Sequence, residues 1–175
     1  VLRHDGKTPV KPSQEYDACY SNQFGKVCAV MTADCLPVLF CSRDGREVAA
    51  AHAGWRGLVD GVLAATLDAF TCQREDVLAW LGPSIGSASF EVGLDVYERF
   101  LTQWNAYSEK AVADCFVASE HEQGQERWFC DIYALARLQL QFLGVAAIYG
   151  GGEDTCVDNQ RFYSFRREGV TGRMV

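Results

Sequence analysis

Residues 31–57 read MTADCLPVLFCSRDGREVAAAHAGWRG. Two apolar runs flank Asp44-Gly45, a dipeptide that favours a two-residue type I′ hairpin turn because both positions tolerate φ > 0. Residues 36–42 and 47–53 therefore read as antiparallel strands, the first of them apolar and buried on both faces. Pairing Arg43 with Arg46 across the turn sets the register and brings His52 opposite Pro37. Cys35 lies two residues beyond Pro37, so strand alternation puts it on the same face as His52. Diagonal neighbours of this kind stand roughly 7–8 Å apart at the backbone, a gap that two inward side chains can close. A one-residue slip would send them to opposite faces.

A thiol beside an imidazole has two chemistries. The imidazole can act as base and make the thiol a nucleophile. Alternatively, both can ligate a soft or borderline metal such as zinc or copper. The plainer reading makes Cys35 an inert core thiol and His52 a hydrogen-bonded strand end. A catalytic zinc takes three protein ligands. The other histidines, His4 and His121, have no spacing that argues for a third. The glycines of HAGWRG permit a sharp exit from strand to helix. The helix start offers free N–H groups that suit an anion, and Arg56 adds charge there.

Outward from this stretch the chain alternates strand and helix signals. Residues 1–25 are polar and punctuated by Gly6, Pro9, Pro12 and Gly25, which predicts a loop or loosely attached arm. Residues 27–32 predict a buried strand. Residues 58–70 predict one helix, with Val59, Val62, Leu63, Thr66, Leu67 and Phe70 on a single face. A short strand at 77–81 ends at Gly82-Pro83. A second helix covers 94–104, with Val96, Phe100 and Trp104 in line. Asp131 reads as the N-cap of a third helix, Leu135, Leu138 and Phe142 facing inward and Gly144 as its stop. Residues 145–149 predict another strand, and RFYSFRR at 161–167 alternates like a strand near an edge. The fold class is α+β: a mixed, largely antiparallel sheet core with flanking helices, in one domain over residues 1–175.

Composition narrows the function classes. At 49% hydrophobic and 22% charged, the chain is one that folds. A formal net charge of −7 repels phosphate backbones and argues against nucleic acid as a partner, although a local basic site for a small anion is compatible with it. No apolar run approaches the roughly 18 residues of a membrane span. The start of the chain has no secretory h-region. The eight cysteines form no CxxC and mostly lie in apolar surroundings. They read as small buried hydrophobes of a reducing cytoplasm.

TADCLPVLF followed by AHAGWRG resembles the YfiH family, also described as laccase-like multicopper polyphenol oxidases or peptidoglycan editing factors. LGPSIGSASFEVG at 81–93 and RFYSFRREGVTGRM at 161–174 match in the expected order, so the resemblance covers nearly the whole chain. It implies a cytoplasmic enzyme that is similar in fold to the catalytic domain of cytotoxic necrotizing toxins. It also implies an active site with one Cys and two His as metal ligands, often zinc. The implied activity is phosphorolysis of adenosine, inosine or methylthioadenosine, together with deamination of adenosine. Copper-dependent phenol oxidation and editing of peptidoglycan precursors by a cysteine hydrolase are alternatives. So is an inactive remnant that keeps the fold.

Carried over by position, the family's ligand Cys is Cys35 and one ligand His is His52. The second falls in a Gln-Val-His-Gly segment that has no counterpart here and would lie just before Val1. The chain thus reads as shortened at its N-terminus and slightly at its C-terminus. Arg56, Arg166 and Arg167 are candidates for a phosphate pocket because guanidinium matches phosphate geometry. Arg173 is a similar candidate. Tyr163 and Phe165 read either as flanks of a purine ring or as core aromatics. Asp34 reads as a capping carboxylate or a proton-transfer group, and Ser84 as a small residue in a tight loop. Multicopper chemistry needs many His ligands, and three histidines weigh against the oxidase.

Overall fold

The computed structural model describes residues 1–6, 15–119 and 126–175. Pro9, Pro12 and His121 lie outside the described residues. In chain order the first elements are β1 (Leu2–His4), β2 (Ala18–Ser21), β3 (Leu36–Ser42) and β4 (Val48–Ala53). They are followed by α1 (Trp55–Val59), α2 (Val62–Leu67), β5 (Val77–Leu81), β6 (Glu91–Gly93), α3 (Leu94–Gln103) and α4 (Glu109–Ala113). The last are β7 (Phe116–Ser119), β8 (Arg127–Cys130), α5 (Ile132–Phe142), β9 (Ala147–Gly150) and α6 (Phe165–Glu168).

Six strands form one sheet in the order β1-β2-β4-β3-β5-β9. Its inner pairings are antiparallel, and the outermost pair on each side, β1–β2 and β5–β9, is parallel. A smaller antiparallel sheet runs β6-β8-β7. This is the mixed, largely antiparallel α+β arrangement that the sequence predicts.

The predicted hairpin register holds: Pro37 pairs with His52 and Leu36 with Ala53. The turn differs. Gly45 has φ 73, but Asp44 keeps a negative φ and residues 43–46 form a four-residue loop. Asp44 Oδ1 accepts from Ser42 Oγ at 2.6 Å and from the Arg46 amide at 3.1 Å, which closes the loop from inside. Arg43 and Arg46 remain opposed, so the register survives the change of turn.

One face of β3 is core. Leu36, Val38 and Phe40 are buried against Leu58, Leu63 and Leu67. Each such apolar side chain contributes about 1.5–3 kcal/mol. The other face is open, with Leu39 42% exposed, so the strand is not buried on both faces. Leu39 pairs with Trp80 and Trp80 with Tyr149, and all three are part of this exposed outer face.

Five other expectations are corrected. Residues 1–25 contain β1 and β2, whose strands of three and four residues are too short to show a period. Residues 27–32 form no strand, because both edges of β2 are already paired and this segment passes over the sheet instead. The helix predicted over 58–70 breaks into α1 and α2 at Gly61, which takes φ 89. Residues 161–167 are not a strand: Ser164 caps α6, its side chain accepting from the Arg167 amide. The third helix begins as predicted, Asp131 accepting from the Ala134 amide at 2.9 Å, and stops at Gly144 with φ 91. Phe142 points outward, 56% exposed, against Tyr107.

All eight cysteines are free thiols. Only Cys19, Cys115 and Cys130 are fully buried, so the reading of most as core hydrophobes is too broad. Among the described residues no helix is long and apolar enough to cross a membrane.

Candidate functional site

His52 projects from the end of β4, and Gly54 turns the chain into α1 with φ −58 and ψ 157. A Cβ on Gly54 would lie 2.9 Å from Cys35 Sγ and 3.5 Å from His52 Nε2. Both side chains therefore converge on one small space that only glycine leaves open. The structure thus brings the predicted pair together.

Cys35 sits just outside β3, and its direction is set by Asp34. Asp34 adopts φ 82, a left-handed conformation that costs of order 1–3 kcal/mol for a non-glycine residue. Five hydrogen bonds hold it. Its Oδ1 accepts from Thr155 Oγ1 at 2.7 Å, and its Oδ2 from Ser164 Oγ at 3.1 Å and the Arg166 amide at 2.6 Å. Its carbonyl accepts from Ser84 Oγ at 2.6 Å and the Ile85 amide at 2.9 Å. Both carboxylate oxygens are taken up by these bonds, one of them at the start of α6, so Asp34 is a positioning residue. Ser84 is fully buried within this network, in keeping with the tight-loop reading.

His52 has a partner that the sequence reading missed. Its Nδ1 lies 3.2 Å from Asp17 Oδ1, and its amide donates to the Asp17 carbonyl at 2.7 Å. A carboxylate only accepts, so Nδ1 carries a hydrogen toward Asp17, and Nε2 is the ring nitrogen on the side of Cys35 and Gly54. Asp17 precedes β2, which pairs with β4 and thereby brings it beside His52. All four residues of β2 are buried, so the strand shows no alternation by which the sequence would reveal it.

Above the pair lies a cavity of about 410 Å³. Trp55, Phe90 and Phe165 supply aromatic wall, and Arg56, Arg166 and Arg173 supply positive charge. The Arg56 guanidinium stacks 4.4 Å from the Trp55 ring. Arg166 donates to the carbonyls of Ser89 at 3.3 Å and Glu91 at 3.1 Å. Arg173 is brought in by the bridge between Thr32 and Met174. Arg167, a predicted phosphate ligand, does not line this cavity. Its guanidinium donates to the carbonyls of Thr155, Cys156 and Phe162 and pairs with Glu168, a structural use. Tyr163 is also absent from the cavity wall and packs on Gly172, whereas Phe165 lines it. His4 lies on β1, opposite Ser21.

Burial pushes the Cys35 thiol up from its ordinary range, and the Asp34 charge adds to this. Arg173 and Arg56 pull in the opposite direction but do not win. The resting group is a thiol.

A Cys–His pair is a donor set that suits zinc or copper. Among the described residues no group of three His, Cys, Asp or Glu stands close enough to hold an ion. Two donors do not make the three-ligand site that catalytic zinc requires. The described residues thus do not fit a resident metal.

The family described as multi-copper polyphenol oxidoreductase laccase matches residues 1–175. Purine nucleoside phosphorylase YfiH of Escherichia coli (strain K12) is 52% identical over 162 residues, covering 93% of this chain and 63% of that protein. Purine nucleoside phosphorylase PA4543 of Pseudomonas aeruginosa is 50% identical over 157 residues, covering 90% of this chain and 62% of that protein. The crystal structure of Neisseria meningitidis protein NMB0706 superposes with a TM-score of 0.80 at 48% identity, covering 90% of this chain and 62% of that one. The chain thus spans less than two thirds of the length of these relatives. With the family matched from Val1 to Val175 and the fold shared with NMB0706, the chain belongs to the laccase-like multi-copper polyphenol oxidoreductase family, alongside proteins named YfiH.

Proposed function

We propose that this chain carries the catalytic centre of a purine nucleoside phosphorylase acting on adenosine, inosine or methylthioadenosine. The observation that carries the reading is the cavity, where three guanidinium groups and aromatic walls meet over the Cys35–His52 pair. Its volume lies within the roughly 300–1,000 Å³ of small-molecule sites. The names of the relatives agree with this chemistry.

Arg56, Arg166 and Arg173 hold hydrogen phosphate, and Trp55, Phe90 and Phe165 flank the purine. A phosphate oxygen attacks C1′ of the ribose while the C1′–N9 bond breaks and its electron pair leaves with the purine. His52 Nε2 accepts the proton of hydrogen phosphate, and the Cys35 thiol protonates the departing base. Transfer from His52 back to Cys35 resets the site. A thiol raised by burial is a weak acid matched to a weakly acidic purine leaving group. Adenosine deamination is the companion activity that the family resemblance implies. It needs an activated water.

Incubation with inosine and with adenosine, each with and without phosphate, tests this. Phosphate-dependent release of hypoxanthine or adenine with ribose 1-phosphate is expected. Turnover independent of phosphate would overturn phosphorolysis, and conversion of adenosine to inosine would mark deamination.

A second reading has one observation of its own. Cys35, His52 and Asp17 stand in the order of a cysteine hydrolase series, with the thiol facing Nε2 and the carboxylate at Nδ1. The raised Cys35 thiol counts against it, since such enzymes work through a thiolate. Alkylation of Cys35 by iodoacetamide is expected to be slow at neutral pH and to accelerate above the ordinary thiol range. Rapid labelling at pH 6–7 would move the assignment to the hydrolase.

A further inference from the structure

After β2 the chain turns at Gly25, where the Lys26 amide donates to the Gln23 carbonyl at 3.2 Å, and runs back over the outer face of the sheet. Val27 and Cys28 line a second, apolar cavity there together with Leu39 and Trp80, which places this strap above the strands. Tyr20 faces the opposite side, packing on Phe70 at 5.3 Å. By alternation, its neighbour Cys19 faces the strap.

Cys19 and Cys28 meet at that contact. Cys19 Sγ donates to the Ala29 carbonyl at 3.6 Å and lies 3.8 Å from the Ala50 carbonyl. Cys28 Sγ lies 3.8 Å from the Val48 carbonyl. Val48 and Ala50 are alternate residues of β4, so one sulfur comes from the sheet and the other from the strap over the same short stretch. Each thiol perturbs the protonation of the other, as neighbouring sulfurs do.

We infer that Cys19 and Cys28 are a reversible dithiol–disulfide pair, a modification site for hydroperoxide-class oxidants that ties the strap to the sheet. The contact with Cys28 lowers the Cys19 thiol against the opposing effect of burial, and the same contact raises Cys28. One sulfur of the pair attacks as the thiolate and the other resolves it, with Cys28 the less buried of the two.

One sulfur of the pair, as the thiolate, attacks one peroxide oxygen, the O–O bond breaks, and hydroxide leaves, giving a sulfenic acid. The other sulfur displaces the sulfenic hydroxyl, and its proton completes a water. Two thiols lose two electrons, and one hydrogen peroxide becomes two waters. A thiol reductant reverses the oxidation by exchange.

The location gives the link consequence. Asp17, two residues before Cys19, holds His52. The strap continues into Met31 and Thr32 of the cavity wall. The disulfide would thus fasten together the two segments that border the site, and the inference does not depend on which reaction runs there.

The test treats the purified chain with hydrogen peroxide and maps it by non-reducing peptide mass spectrometry, with thiols titrated under denaturing conditions. A Cys19–Cys28 linked peptide is expected, with the titratable thiols falling from eight to six and returning to eight with dithiothreitol. Cys28→Ser should remove the link and leave a dimedone-reactive sulfenic acid at Cys19. Circular dichroism of this variant checks that it is folded, and Cys28→Ala serves if it is not. A link from either residue to Cys41, or both thiols still alkylatable while other cysteines oxidise, would overturn the pair.

Discussion

The β3–β4 hairpin and the segments that close over it are held by different physics. The hairpin is a ladder, with six residue pairs in one register and a row of buried side chains behind them. Loss of one contact there is shared among many. The approach to Cys35 and residues 151–173 have little ladder beyond the Thr32–Met174 bridge. They depend on one carboxylate, Asp34, which gathers Thr155, Ser164 and Arg166. The pair at the site is drawn from both regimes: His52 stands on the ladder and Cys35 on the hub. Stability and activity should therefore respond differently to damage in the two regions.

The largest effect should come from the hub. Asp34→Ala leaves buried donors of Thr155 and Ser164 and the Arg166 amide unpaired, at about 1–3 kcal/mol each for a fully desolvated group. A loss of about 3 kcal/mol or more in urea denaturation is expected, together with loss of phosphorolysis. On the ladder, Val38→Ala should cost about 2 kcal/mol and keep most of the activity. Equal losses of activity in the two variants would erase the contrast.

Gly54→Ala comes next. Its methyl group would sit 2.9 Å from Cys35 Sγ and displace the thiol. A misplacement near 1 Å is worth about 100-fold in rate, so kcat should fall by that order with Tm little changed. Wild-type turnover would remove Cys35 from the chemistry.

Asp17→Asn should have a smaller effect. It keeps the shape but frees the His52 tautomer, so kcat should fall by about tenfold, within the usual range for such supporting partners, with KM nearly constant. The smallest separation is between two arginines. Arg56→Gln should raise the phosphate KM severalfold, about 1 kcal/mol of charge-assisted bonding. Arg167→Gln should leave that KM unchanged and lower Tm, because Arg167 braces the carbonyls of Thr155, Cys156 and Phe162.

The same division decides what was legible in the sequence. The hairpin register could be read from Asp44-Gly45 even though the turn takes another form, because any turn that keeps Arg43 opposite Arg46 yields the same pairs. Helix α5 could be read from its cap and its glycine stop. Cys35 and His52 followed from alternation and were strengthened by the family resemblance. Asp17 was not legible, since its approach to His52 is made by the neighbouring strand. Arg167 was misjudged because a sequence does not show which of two adjacent arginines turns inward to brace carbonyls. The RFYSFRR segment alternates like a strand, yet Ser164 and the distant Asp34 carboxylate cap it as a helix.

Asp34 has a final consequence, for the order of events in folding. Its carboxylate partners lie 121, 130 and 132 residues further along the chain. Contacts of such separation carry a large loop-closure cost and form after local ones. During synthesis the hairpin can pair as soon as its second strand is available, with His52 already in place. Cys35 cannot take its working direction until Arg166 has been made and has folded back. A ribosome-bound chain stalled before that residue would hold a formed ladder and no Cys35–His52 pair.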